Sequence, residues 1–193
     1  MKKLIFILAA VVSLTFAAEA RQPSRGYRGF FDWTSSVRSE KMGSIDFEGN
    51  LYDYREGAFY TGFTTSHGYQ IDPMVFLGAG LGFEKCGKFD YEFVPLFVEG
   101  RVDMELGKFT PFGDLRVGVN LADGAGVYLS PTVGYRFSWG RKVGVNVGIG
   151  YTLVGYKAEH YEIVSDGDVW DLRYLGKKSH LRSFFSFRVG FDF

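Results

Sequence analysis

The chain has 193 residues with 22 basic and 22 acidic side chains, 26 glycines and an aromatic content of 18%. The balanced charge excludes the basic surplus that a nucleic-acid-binding surface needs. A single cysteine, Cys86, excludes an intramolecular disulfide framework. Frequent glycine and aromatic residues without helical periodicity favour closely packed, twisted strands.

The first twenty residues predict a secretory signal peptide. Two lysines precede an apolar run over 4–16, and the sequence AEA at 18–20 supplies the small residues of a cleavage site. This apolar run is too short to span a bilayer comfortably. We therefore expect residues 1–20 to be removed, leaving 21–193 as one mature domain of nearly neutral charge.

Eight later segments alternate between apolar and polar residues, as β-strands do when their two faces meet different surroundings. The predicted strands are 27–36, 57–66, 74–84, 90–105, 109–121, 127–139, 143–156 and 181–193. The second strand cannot be assigned an inner face, because Phe59 and Tyr60 compete. In the sixth strand, Pro131 removes a ladder donor and predicts a bulge.

One row of these strands carries ions of both signs in similar number. Its members are Arg28, Asp32, Glu84, Glu99, Arg101, Asp103, Glu105, Asp114, Arg116, Arg136, Arg182, Arg188 and Asp192. Unpaired charge inside a soluble core is very costly, but these side chains can pair across the interior of a narrow barrel. The opposite rows are aliphatic and aromatic, as lipid contact requires. A soluble sandwich is the alternative, with the charged rows in water.

The last segment, LRSFFSFRVGFDF, has the clearest alternation, and it ends on an aromatic residue. With the signal peptide and the eight strands, it resembles the small outer-membrane β-barrels of Gram-negative bacteria, the OmpA/OmpX-like class. The resemblance implies an all-β fold, an eight-stranded antiparallel up-and-down transmembrane β-barrel in the cell outer membrane. It also implies that the barrel-assembly machinery recognises Phe187, Val189, Phe191 and Phe193.

An even number of strands places both termini on the periplasmic side. Of the outward connections, only 37–56 and 157–181 are long, and strand pairing on closure makes them neighbours. Each contains a hairpin pattern. We therefore expect a β-sheet that stands above the membrane on one side of the rim.

The expected function is structural, or an interaction at the cell surface through these two loops. The expected partners are outer-membrane lipid and lipopolysaccharide, the assembly machinery during biogenesis, and an unidentified surface ligand. We expect a monomer without cofactor or metal. Asp166-Gly167-Asp168 resembles part of a calcium loop but lacks the remaining ligand spacing.

Two alternatives remain open on sequence grounds. Some eight-stranded barrels modify lipids, and His160, His180 and Ser165 in or beside the second long loop could contribute to a Ser-His-acid site, although no spacing is specific. We assign no catalytic residue. A narrow pore is the other alternative, but an eight-stranded interior is only wide enough for side chains to fill it.

Overall fold

The computed structural model describes residues 25–47, 50–87, 92–104, 109–122, 125–139, 143–166 and 169–193. Over 39–56 and most of 158–180 the description is of the backbone alone. The predicted signal peptide lies outside the described residues. All described elements are β-strands, and this part of the chain has no helix long and apolar enough to cross a membrane.

The strands follow one another along the chain with short connections. They are β1 (Gly26–Phe47), β2 (Asn50–Gln70), β3 (Val75–Cys86), β4 (Glu92–Phe93), β5 (Pro95–Asp103), β6 (Phe109–Asn120), β7 (Gly126–Trp139), β8 (Val143–Asp166) and β9 (Val169–Asp192). β4 and β5 pair with β3 in one continuous register, so they form a single stave interrupted at Val94.

The sheet closes on itself as an eight-stave barrel. Each stave pairs antiparallel with its neighbours in the chain, and β1 pairs with β9 from Phe30↔Asp192 to Val37↔Phe185. Two backbone bonds continue this seam, one in each direction between Gly29 and Phe193 at 3.0 and 3.1 Å. Closure satisfies the backbone groups that an open sheet would leave exposed at its edges. The predicted eight-stranded antiparallel barrel is confirmed.

The alternation of residues sets which face looks inward. In β5, Phe97 and Glu99 are buried, whereas Leu96 and Val98 are exposed. This is the inverse of a soluble core, because charged groups are inside and large apolar groups are outside. Such an inversion is stable only where the outer surroundings are apolar.

The two long excursions are continuations of strands rather than irregular loops. β1 pairs with β2 out to Phe47↔Asn50, and β8 pairs with β9 out to Asp166↔Val169. The predicted hairpins are therefore confirmed, and each extends an arm beyond the barrel. The β8–β9 arm carries a bulge beside Gly176, whose φ of 115° suits glycine.

Three local expectations are corrected or completed by the fold. Pro131 interrupts the β7–β8 ladder, but the register is the same on both sides, so the predicted bulge is wrong. The predicted strand 74–84 stops short of Cys86, whereas β3 ends at Cys86, which is buried. In β2, Tyr60 points inward and Phe59 outward, which resolves the ambiguous strand.

Candidate functional site

Twelve of the thirteen residues predicted for the inner charged row lie on the inner face with buried side chains. They are Arg28, Asp32, Glu84, Glu99, Arg101, Asp103, Asp114, Arg116, Arg136, Arg182, Arg188 and Asp192. The thirteenth, Glu105, lies outside the described residues. The strand register brings these twelve residues together in successive layers along the barrel axis.

The layer next to the chain termini is centred on Asp192. Arg136 donates two parallel hydrogen bonds to this carboxylate, from Nε and Nη2, each at 2.8 Å. Arg28 reaches the same carboxylate at 3.3 Å and binds Asp103 at 2.7 Å. Bidentate guanidinium–carboxylate pairing of this kind fixes both partners in position.

Arg101 extends this layer towards the opposite wall of the barrel. Its Nε donates to Asp103 at 2.8 Å, and its Nη2 donates to Asn146 at 2.8 Å. Its guanidinium lies over the ring of Phe112 at 3.7 Å and over that of Phe30 at 4.9 Å. Aromatic faces attract cations, so these rings stabilise a charge that burial would otherwise penalise.

The middle layer is centred on Arg116, which is 1% exposed. Its Nη2 binds Asp32 at 2.5 Å and Glu99 at 3.2 Å, and its Nη1 donates to Thr64 at 2.8 Å. These partners come from β1, β5 and β2, so one side chain ties together strands across the full width of the lumen. The Arg116 guanidinium also lies over the Phe97 ring, with Cζ 4.9 Å from the ring centre.

A second pair completes the middle layer. Nη1 of Arg188 lies 2.9 and 3.0 Å from the two carboxylate oxygens of Asp114. The hydroxyls of Ser130 and Thr152 bond to each other at 2.9 Å where Pro131 interrupts the β7–β8 ladder. Polar side chains thus fill the lumen at the one place where backbone bonding is weakest between these two strands.

The layer towards the arms is aromatic instead of ionic. Its buried members are Ala58, Tyr60, Cys86, Phe93, Phe97, Tyr128, Val154 and Phe184. The rings of Tyr60 and Phe184 meet edge to face at 4.7 Å, and Phe93 contacts both. The space beneath them, beside Glu84, has no room for a water molecule. Side chains therefore close the lumen at this level.

Sequence reasoning found the ions but missed most of this aromatic layer. It left Tyr60 unassigned and gave Phe93 no role, although Phe97 and Tyr128 share the parity of the charged rows on their strands. In the last strand, Phe184 belongs to the same alternating row as Arg182 and Arg188. This parity could have been used to predict that its ring points into the barrel. Near this layer, Cζ of the Arg182 guanidinium lies 3.9 Å from the centre of the Tyr156 ring.

The outer face of the last strand meets β1 at the seam. Phe187 and Phe191 are exposed, and Val189 is half-buried. The ring of Phe191 lies 5.4 Å from that of Phe31. The residues predicted as an assembly signal therefore form a contiguous outer row beside the strand that closes the barrel.

The terminal residue, Phe193, is held in a small polar–aromatic cluster. Its ring meets that of His67 edge to face at 6.3 Å. The hydroxyl of Thr65 donates to a backbone carbonyl, so Nε2 of His67 must donate to Thr65 at 3.0 Å. Nδ1 then accepts from Tyr27, at 2.5 Å. Every polar atom of the imidazole is satisfied in its neutral form.

The outer surface between the two rims is a belt of large apolar side chains. Many are more than 40% exposed, including Leu81, Val98, Val127, Ile149 and Phe185. Soluble monomers rarely expose contiguous apolar patches of this extent. The described residues contain no group of three His, Cys, Asp or Glu side chains that could hold a metal ion.

Comparison with solved structures agrees with this inverted architecture. Neisserial surface protein A superposes with a TM-score of 0.55 at 14% identity, over 88% of this chain and 96% of that one. The chain has the fold of a small outer-membrane β-barrel. The outer membrane protein OprG from Pseudomonas aeruginosa aligns over 89% of this chain and 97% of its own chain, with a TM-score of 0.49 at 15% identity. No family model and no curated protein matches this chain.

Proposed function

We propose that the protein is an integral outer-membrane barrel with a sealed lumen, and that it acts through its two hairpin arms as a surface-interaction protein. The observation that carries the proposal is the length of the arms relative to their neighbours. The pairing of β2 with β3 ends at Tyr60↔Cys86, and that of β7 with β8 ends at Tyr128↔Val154. Both arms continue well beyond these pairs.

The arms present backbone edges above the barrel. In the described ladders, the outer edges of β2 over 50–58 and of β8 over 157–166 have no neighbouring strand. Such edges can accept an extended segment of another protein as an added strand. The partner class that fits best is therefore an extended peptide of an envelope or host-surface protein.

The sealed lumen supports an interaction role over transport. The ionic layers and the aromatic layer occupy the interior, and the pocket bounded by Tyr60, Glu84 and Phe184 has no room for a water molecule. The side chains of His160, Ser165 and His180, which suggested lipid chemistry, lie outside the described ones. We propose a non-catalytic, monomeric barrel that contacts lipid and lipopolysaccharide and is assembled through its terminal aromatic strand.

Arm replacement tests this proposal. Lys157 and Ser179 are cross-strand partners, so a tight Asn-Gly turn can replace 158–178 without changing the register of the barrel. Ser39 and Gly57 allow the same operation on the other arm. Cells carrying each variant are assayed for capture of crosslinked surface or envelope proteins, and heat-modifiability on gels verifies folding.

We expect both variants to assemble and at least one to lose a crosslinked partner that the full-length protein retains. Unchanged crosslinking in both, with normal assembly, would contradict an interaction role. A changed mass profile of lipid A in the 158–178 variant would instead support a lipid-modifying enzyme.

A further inference from the structure

Glu84 is the one buried carboxyl group in the described lumen that has no cation bound to it. The residue is 5% exposed. Within the part of the chain that the structure describes, no arginine or lysine forms an ion pair with Glu84, and no group donates a hydrogen bond to it. Each of the other five buried carboxylates has a guanidinium nitrogen at 3.2 Å or less: Asp32, Glu99, Asp103, Asp114 and Asp192.

The cations that act on Glu84 are already bound to other acids. They are Arg116 of β6 and Arg188 of β9. Arg116 binds two carboxylates and Arg188 binds a third. A further buried arginine, Arg182, lies over the Tyr156 ring near the aromatic layer and is not one of these cations. The middle layer together with Glu84 therefore sets two guanidinium groups against four carboxyl groups.

The layer next to the chain termini balances only half of this excess. Its guanidinium groups are those of Arg28, Arg101 and Arg136, and its carboxylates are those of Asp103 and Asp192. With every acid ionised, the two ionic layers together hold five positive and six negative charges, a net charge of −1. One bound proton makes the two layers neutral.

The surroundings of Glu84 supply no other means of stabilising a negative charge. The pocket beside it is lined mostly by aromatic groups and has no room for a water molecule. Its other titratable side chains are the phenols of Tyr60 and Tyr128, which are uncharged at neutral pH. An ionised carboxyl group that lacks a cation, a donor and water is very costly to bury, and such a group becomes neutral by taking up a proton.

We propose that Glu84 is a proton-binding site, and that its carboxyl group holds a proton in the folded barrel at neutral pH. The site lies in the barrel and not in the arms, so it is independent of the proposed surface interaction. In the unfolded chain a glutamate loses its proton above about pH 4.3. The unfolded state then binds fewer protons than the folded state, so the free energy of unfolding falls as the pH rises above this value.

Infrared spectroscopy detects this proton directly, because the carbonyl stretch of a carboxylic acid is separate from the bands of an ionised carboxylate. The mature protein is refolded in lipid vesicles at pH 7. We expect one carboxylic-acid band in the wild type and none in Glu84→Gln, whose side chain copies the neutral form and should fold. Glu92→Gln is the matched control. Glu92 is about half exposed and pairs with Lys85, so its substitution should leave the band unchanged.

Urea unfolding in the same vesicles gives a second measurement. Between pH 5 and pH 6, the unfolding equilibrium constant of the wild type should rise about tenfold relative to that of Glu84→Gln, because one proton separates the two states. Absence of the infrared band from the folded wild type would overturn the proposal. A band that persists in Glu84→Gln would overturn the assignment to Glu84. Stability that depends on added sodium in the wild type alone, without the band, would show a metal cation in place of the proton.

Discussion

The ring of Phe193 packs directly on Gly29. A Cβ atom at position 29 would stand 2.7 Å from Cε2 and Cζ of that ring and 3.2 Å from Nδ1 of His67. The same two residues exchange both backbone hydrogen bonds. The last residue of the chain and the start of the first strand therefore close the barrel as one interlocked pair.

Substitution of Gly29 should weaken this closure. In Gly29→Val, the added side chain displaces the Phe193 ring, and overpacking of this kind costs ~1–3 kcal/mol. Urea unfolding of the protein in lipid vesicles, followed by tryptophan fluorescence, measures the loss of unfolding free energy. Gly113→Ala is the control, because its Cβ enters open space. Equal stability of both variants would show that the contact contributes nothing.

Arg116 should be the most sensitive residue of the lumen. Arg116→Leu removes the cation that Asp32 and Glu99 share and leaves both carboxylates buried without it. Loss of one partner from a buried pair costs about 3–5 kcal/mol. The same unfolding assay measures this effect.

An exposed ion pair provides the comparison for Arg116. Lys85 and Glu92 are 3.0 Å apart with both side chains about half exposed. Surface pairs contribute ~0–1 kcal/mol, so Lys85→Ala should unfold nearly as the wild type does. If Arg116→Leu lowered the free energy of unfolding as little as Lys85→Ala does, the ionic layers of the lumen would not be a main source of the stability of the barrel.

Phe193 is expected to serve assembly as well as closure. Phe193→Ala should reduce the amount of folded protein in the outer membrane of cells far more than it reduces folding in detergent, because detergent folding does not need recognition of the terminal strand. Gly29→Val separates the two roles, since it disturbs the seam and leaves the terminal sequence intact. A Phe193→Ala variant that accumulates in cells no less than Gly29→Val would argue against a recognition role.

The sequence predicted the barrel because apolar and polar residues alternate along most of the strands. Over 94–104, apolar and polar residues alternate regularly, so the two faces of this strand can be assigned without ambiguity. The sequence also predicted the lumen ions, since charges in a transmembrane barrel have only the interior available. Burial of Arg28 and Asp192 follows from parity alone.

What could not be predicted depends on distant strands. Tyr60 and Phe184 meet only because β2 and β9 lie on opposite sides of β1 in the closed sheet. The sequence around neither residue indicates this contact. Because Phe59 and Tyr60 are both aromatic, the sequence also does not show which of the two points inward. The effect of Pro131 was also nonlocal, because the hydroxyls on the neighbouring strands allow the ladder to break without an added residue.

Single-channel recording tests the sealed lumen most directly. The mature protein is reconstituted in planar bilayers, and its insertion is verified by heat-modifiability of the recovered sample. Because ionic and aromatic layers occupy the interior and the pocket beside Glu84 has no room for a water molecule, we expect no conductance steps above the bare bilayer. Stable, reproducible steps from the folded wild-type barrel would contradict the sealed-lumen account.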